Sequence, residues 1–340
     1  FWNELYGDNH WRRLVTGRHG DRGTFEYFIR ELGYGLYPWI ALVPAAVSWV
    51  AMRAFGKRNG DNATVDKRRD ILWFGAIWFV SGYALVSLSM TKFHHYILPA
   101  MPGLAIALGC FLDDVLGEKR GRLALLAVLV GLPLLALVAY DLTSAQKSAQ
   151  RFLWLFTYDY VNAPQGRPWP PDMDYVRVIW VFAGLFAVAT TLLVWQRLRA
   201  WATLATFAVA VAFTYFLLDV YMRQAAAHWS QKPLIAQYYR ERGSYDERLL
   251  VWQMYWRGEN FYTQNEIYEG PISERTVFLG DKNAENLKDF LAKHSGRRHW
   301  FLIERTRLES LKGLLPTAAR STVKIANDDN NKFYLLTANL

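Results

Sequence analysis

One stretch carries the densest chemistry in the sequence: Thr91-Lys92-Phe93-His94-His95-Tyr96-Ile97-Leu98-Pro99-Ala100-Met101-Pro102. It lies where one long apolar run gives way to the next. Lys92 offers a positive point charge and Tyr96 a hydroxyl donor just inside the interface. Pro99 and Pro102 can bend a helix and free its carbonyls. Such a set suits a lipid phosphate. A plainer account competes with it: Lys92 snorkels to lipid headgroups and Tyr96 anchors the helix end. The neighbouring histidines His94 and His95 invite a metal. On a helix they point about 100° apart, so one ion cannot take both.

A second cluster is Asn9-His10-Trp11-Arg12-Arg13, followed by Arg18-His19-Gly20-Asp21-Arg22-Gly23. If its first part is helical, His10 and Arg13 share a face by their i,i+3 spacing. A neutral imidazole binds divalent metals, and a guanidinium grips phosphate with two parallel hydrogen bonds. His10 is therefore the candidate metal ligand, and Arg13, Lys92 and Tyr96 are the candidate phosphate ligands.

These residues must be held by the surrounding elements. Of 340 residues, 52% are hydrophobic and 16% aromatic. Six apolar stretches of roughly 18 to 21 residues can each cross a bilayer as a helix. They are Tyr34–Met52, Ile71–Met90, Phe93–Leu112, Leu123–Tyr140, Val176–Trp195 and Trp201–Tyr221. From Gln224 onward no apolar run is long enough to cross. The expected fold is a polytopic α-helical membrane protein of about six transmembrane helices, followed by a small α/β extracytoplasmic domain. A single soluble globule, a disordered chain and a disulfide scaffold are excluded; Cys110 is the only cysteine. The sequence starts at Phe1 and shows no signal peptide, which suggests a fragment lacking its amino-terminal part.

The net charge of +9 is distributed between the apolar runs, a pattern of membrane topology rather than nucleic-acid binding. Arg53, Lys57, Arg58, Lys67, Arg68 and Arg69 follow the first run. Lys119, Arg120 and Arg122 follow the third, and Arg197 and Arg199 the fifth. These loops belong on the cytoplasmic side. The opposite side then holds residues 1–33, a juxtamembrane segment, together with the aromatic loop 141–175 and the soluble domain 223–340. Residues 34–222 form the transmembrane domain. In a Gram-negative cell the protein would sit in the inner membrane with its carboxy-terminal domain in the periplasm. The basic segment Arg12–Arg30 opposes this orientation unless it binds an anion.

In the terminal domain, Leu249–Met254, Thr276–Leu279 and Trp300–Glu304 read as strands. Asp281–His294, with Asp281 as N-cap, and Arg307–Leu315 read as helices. Thr322–Ala326 and Lys332–Thr337 flank the turn-rich Asn327–Asn331, as in a hairpin. No glycine-rich phosphate loop or metal-ligand spacing appears in this domain. His294 and His299 read as surface or packing residues.

The run Leu85-Val86-Ser87-Leu88-Ser89-Met90-Thr91-Lys92, leading into Tyr96-Ile97-Leu98-Pro99 and Pro102-Gly103-Leu104-Ala105, resembles bacterial membrane glycosyltransferases. The family in question includes the aminoarabinose transferases of lipid A and the protein O-mannosyltransferases. Asn9-His10-Trp11-Arg12-Arg13-Leu14, with Glu26-Tyr27-Phe28 and Gly35-Leu36-Tyr37-Pro38-Trp39, is similar to the family's outer-face segment. The resemblance implies a fold with about twice as many helices and a polyprenyl-phosphate-linked sugar as donor. The implied acceptor is a lipid or protein, and membrane lipids are the other partners. A catalytic carboxylate is implied in the first outer loop, near a divalent metal ion, in a region this sequence does not contain. Asp8, Asp21, Asp159 and Asp174 match no such position. The resemblance places Tyr96 and Lys92 near the donor phosphate, and His10 and Arg13 near phosphate or metal. Phe93-His94-His95 departs from the family pattern, which leaves the donor open. A non-enzymatic lipid transporter or scaffold is the alternative. A transporter should show paired broken helices in related halves, and none is visible.

Overall fold

In the computed structural model the described residues are 2–3, 6–7, 11–16, 26–55, 63–118, 122–146, 149–150, 152, 173–254, 256–269, 276–278 and 283–339. The chain forms two compact units. One comprises Phe1–Ser144 and Asp174–Thr214; the other comprises Ala145–Met173 and Tyr215–Leu340.

The first unit is helical. In hydrocarbon every backbone donor must find an acceptor inside its own segment, and a helix achieves this locally. Its elements are α1 (Tyr27–Gly35), α2 (Val43–Phe55), α3 (Ala63–Leu88), α4 (Met101–Gly117), α5 (Arg122–Thr143), α6 (Tyr175–Leu192) and α7 (Arg199–Tyr215). Among the described residues, five helical stretches are long and apolar enough to span: Lys67–Leu88, His94–Gly117, Arg122–Thr143, Tyr175–Leu192 and Gln196–Ala226. The apolar run Tyr34–Met52 is not one helix. It breaks after Gly35, passes a single tight turn at Trp39–Ala41, and resumes as α2. Pro38 has no amide proton to continue α1, and Pro44 sits in the first turn of α2, where a missing donor costs nothing. At 13 residues, α2 covers about 20 Å, short of a hydrocarbon core.

Close packing depends on small residues, as expected where lipid supplies no hydrophobic drive. A Cβ on Gly131 of α5 would collide with the Ala41 carbonyl, and one on Gly103 of α4 would collide with Gly75 of α3. At the other end of α4, Asp114 accepts from Trp49 Nε1 (2.9 Å) and pairs with Arg53 (2.8 Å) and Arg68 (2.7 Å). Arg68 also pairs with Asp113 (2.8 Å). Arg199 is buried and donates to the carbonyls of Leu193 (2.9 Å), Val115 (3.1 Å) and Glu118. Basic residues that read as topology charges therefore also tie helix ends together. Sequence spacing could not reveal this, because the partners are 42 or more residues away for Arg53, Arg68 and the Val115 contact.

The second unit contains a five-stranded mixed sheet. Helix α8 (Lys232–Glu241) precedes β1 (Leu249–Trp252). Then come β2 (Val277–Phe278), α9 (Asn283–Lys293), β3 (Arg298–Glu304), α10 (Leu308–Leu314), β4 (Lys324–Asn327) and β5 (Phe333–Asn339). The spatial order is β2-β1-β3-β5-β4. β1 runs parallel to β2 and β3, and β5 pairs antiparallel with β3 and β4. Side-chain alternation assigns the two faces. Leu250, Trp252, Phe301, Ile303 and Leu336 pack with Leu287, Phe290 and Leu291 of α9. Leu249, Val251, Trp300, Leu302 and Leu335 pack with Leu234, Ile235 and Tyr238 of α8.

The expected strands, the α9 and α10 helices and the hairpin are all present, within a few residues of their expected ends. Asp281, the expected N-cap, lies outside the described residues. Helix α8 is not among the expected elements, although Pro233 followed by Leu234, Ile235 and Tyr238 carries a helix start and an apolar stripe. His299 is fully buried, its ring 5.8 Å from Phe290, and the His294 ring lies tilted against Phe290 at 4.4 Å, so both histidines act in packing.

Candidate functional site

The turn between α3 and α4 is built from the end of α3, which stops at Leu88, and a tight helical stretch at His94–Ala100 that leads into α4. Pro102 has no amide proton for the carbonyl of Pro99. The Trp78 indole of α3 takes that carbonyl instead, at 2.9 Å. The Pro99 carbonyl thus accepts from a side chain one helix away.

Lys92 is 2% exposed. Its ammonium folds back under the turn and donates to the carbonyls of Ser87 (2.8 Å) and Ser89 (2.6 Å). Those carbonyls belong to the open end of α3, where partial negative charge gathers, so a cation there acts as a cap. The Phe28 ring of α1 lies 5.8 Å from the ammonium. Burial pushes the Lys92 pKa below its ordinary value. Thr91 beside it is also buried, and the Ser87 hydroxyl is buried without a hydrogen-bond partner.

Tyr96 is half-buried and donates its backbone amide to the Phe93 carbonyl at 3.0 Å. Its ring meets those of Phe93 (5.3 Å) and His95 (5.0 Å). It also packs against the cluster of Phe28, Ile97 and Ala100. His94 and His95 lie edge-to-face with ring centres 5.5 Å apart, so they do not converge on one point.

Arg13 belongs to a helical turn, Arg12–Val15. The carbonyl of the next residue, Leu14, accepts from the Met90 amide at 3.0 Å. The backbone that carries Arg13 therefore adjoins the turn that carries Lys92, though 76 residues separate Leu14 from Met90 in sequence (90 − 14). The Arg13 side chain and all of His10 lie outside the described residues. The site thus brings together Lys92, Tyr96 and the backbone of Arg13.

Phe28 is a residue that sequence spacing did not single out. It is fully buried and touches both the lysine and the tyrosine cluster. The aromatic pair Tyr27-Phe28 at the start of α1 is its only signal in the sequence. Among the described residues no group of three or more His, Cys, Asp or Glu could hold a metal ion.

No family model matches the chain. It is similar to curated transferases named undecaprenyl phosphate-alpha-4-amino-4-deoxy-L-arabinose arabinosyl transferase. Against the Edwardsiella ictaluri protein it is 28% identical over 135 residues, covering 39% of this chain and 22% of that protein. Against the Photorhabdus laumondii protein it is 30% identical over 128 residues, covering 38% and 21%. Among solved structures it shares the fold of ArnT from Cupriavidus metallidurans, crystallised bound to undecaprenyl phosphate. The TM-score is 0.59 at 16% identity, over 98% of this chain and 55% of that one. The chain therefore spans about half the length of that crystallised protein, and its aligned part covers about a fifth of each curated relative. It is a multi-pass membrane chain with an ArnT-like fold.

Proposed function

We propose that this chain is the carboxy-terminal part of an integral-membrane glycosyltransferase. The enzyme moves a sugar from a polyprenyl-phosphate donor to a lipid or protein acceptor at the outer face of the membrane. The observation that carries the reading is the fold match along 98% of the chain to a protein crystallised with undecaprenyl phosphate. Sequence similarity to arabinosyl transferases supports it independently. The basic loops on the opposite side of the spans support an outward, periplasmic position for the α3–α4 turn and the terminal domain. The transporter or scaffold alternative gains no specific observation.

An acceptor hydroxyl or amine attacks the anomeric carbon and gives up its proton to a carboxylate base. The bond from that carbon to the phosphate oxygen breaks, and its electron pair leaves with the polyprenyl phosphate, which gains negative charge. Groups already aimed at that charge stabilise the transition state most where water is excluded. Tyr96 and Arg13 are assigned the direct contacts to the donor phosphate. Lys92, with two protons committed to Ser87 and Ser89, supplies a fixed positive charge beneath the turn and holds its shape. The role of His10 is to face a metal or phosphate beside Arg13.

Transfer from a polyprenyl-phosphate sugar by the full-length protein tests this. A hydrogen bond to a charged group is worth roughly 1.5–3 kcal/mol, so Tyr96→Phe should slow transfer about tenfold or more. Arg13→Ala should do at least as much. Unchanged rates in both variants at saturating donor remove both residues from the site.

A further inference from the structure

The carboxyl edge of the sheet in the second unit presents an aromatic and cationic cluster that belongs to none of the elements of the α3–α4 turn. The last span, Gln196–Ala226, continues as helix to Trp229. Trp229 lies three residues beyond Ala226, about 4.5 Å at 1.5 Å per residue. Its ring is 5.3 Å from the Lys332 ammonium, which lies 3.5 Å from the centre of the Trp256 ring. Asn330 Nδ2 donates to the carbonyl of Ser230, just past the helix end, at 2.8 Å. The sheet edge is thus tied to the end of the helix that continues the last span.

The loop presenting Trp256 is braced. Gln253 and Arg257 take left-handed backbone angles (φ 49° and 69°), which non-glycine residues adopt only at a cost. The buried Glu259 accepts from the Trp256 amide at 2.8 Å, and Glu304 accepts from its indole N–H at 2.6 Å. Despite this bracing, the large apolar rings remain open: Trp229 is 37% exposed, Trp256 43% and Phe261 76%. An amphipathic indole beside an ammonium is the chemistry of the headgroup layer, with an apolar ring below and polar groups above.

We propose that this edge, built from Trp229, Trp256, Phe261 and Lys332, rests in the lipid headgroup layer of the bilayer the chain itself crosses. The opposite edge of the sheet stands away from the membrane. The inference needs only that Gln196–Ala226 spans, and it stands whether or not the protein transfers sugar. Its consequence is that the terminal domain lies against the surface on which membrane-bound ligands travel.

The test uses the full chain in phosphatidylethanolamine–phosphatidylglycerol vesicles, with Cys110→Ser removing the native thiol. A fluorophore is attached at Phe261→Cys, or at Asp329→Cys in the hairpin loop of the same edge. The control is Tyr245→Cys, exposed ahead of β1 at the far edge, about 20 Å away along a seven-residue strand. Lipids spin-labelled in the headgroup and upper chain should quench most of the emission at positions 261 and 329 and little at 245. The second edge position keeps the test readable if one variant misfolds. Quenching at 261 and 329 no greater than at 245 overturns the proposal, including the case in which another protein covers the edge.

Discussion

Replacing Lys92 by methionine tests how the α3–α4 turn is held. Methionine keeps the length of the side chain and removes its charge and donors. Two carbonyls, Ser87 and Ser89, lose their partner in a place that is 2% exposed. An orphaned buried acceptor costs about 1–3 kcal/mol, so the pair costs roughly 2–6 kcal/mol before compensation. Relief from burying an ammonium offsets part of this, as the downward pKa shift indicates. Interhelical polar contacts in membranes also measure at the low end of such scales. A net loss of about 2 kcal/mol is expected, confined to the turn, which is roughly a thirtyfold rise in local opening. Hydrogen–deuterium exchange of the 89–96 amides in nanodiscs reads this opening directly, with the amides of α6 as an internal reference. Exchange should rise about ten- to thirtyfold in the turn and stay level in α6. If the turn exchanges as slowly as in the parent protein, Lys92 is not its fastener, and the ammonium is available to work elsewhere.

Two further outcomes can be measured without knowing the substrate. Burial pushes His299 down to about 4, so the folded domain keeps it neutral while the unfolded chain protonates it below about 6.5. The unfolded state therefore binds more protons between those values, and stability falls as pH drops from about 6.5 to about 4, by up to about 3 kcal/mol. His299→Phe should flatten that slope in unfolding curves of the full chain; an unaltered slope assigns the acid sensitivity to other groups. Gly131→Ala sets a methyl group on the Ala41 carbonyl and should abolish a monodisperse purified protein, whereas Gly184→Ala, open on all sides, should be neutral. Equal yield and thermal stability for the two variants would falsify the close approach of α5 to Ala41.

Some of this was written along the chain and some was not. The apolar runs determined that the first half crosses a membrane, because hydrocarbon tolerates few structures and a helix needs about 20 apolar residues to span it. The short apolar runs in Leu249–Trp252 and Trp300–Ile303, each ended by a polar residue, likewise read as strands, because a strand covered on both faces is apolar at every position. The single-helix reading of Tyr34–Met52 failed because apolarity reports burial in lipid, while Pro38 and Pro44 decide where hydrogen bonding can run. Lys92 and Tyr96 were visible as chemistry, and their shared turn was visible too. Only the tertiary structure decided that the Lys92 ammonium turns inward to Ser87 and Ser89 and that Phe28 closes over it. It also decided that the backbone of Arg13 meets the same turn through Leu14 and Met90. Local sequence sets propensity and polarity over a few residues. The direction in which a long side chain bonds depends on which carbonyls the packing leaves unpaired, and segments far apart in the chain settle that.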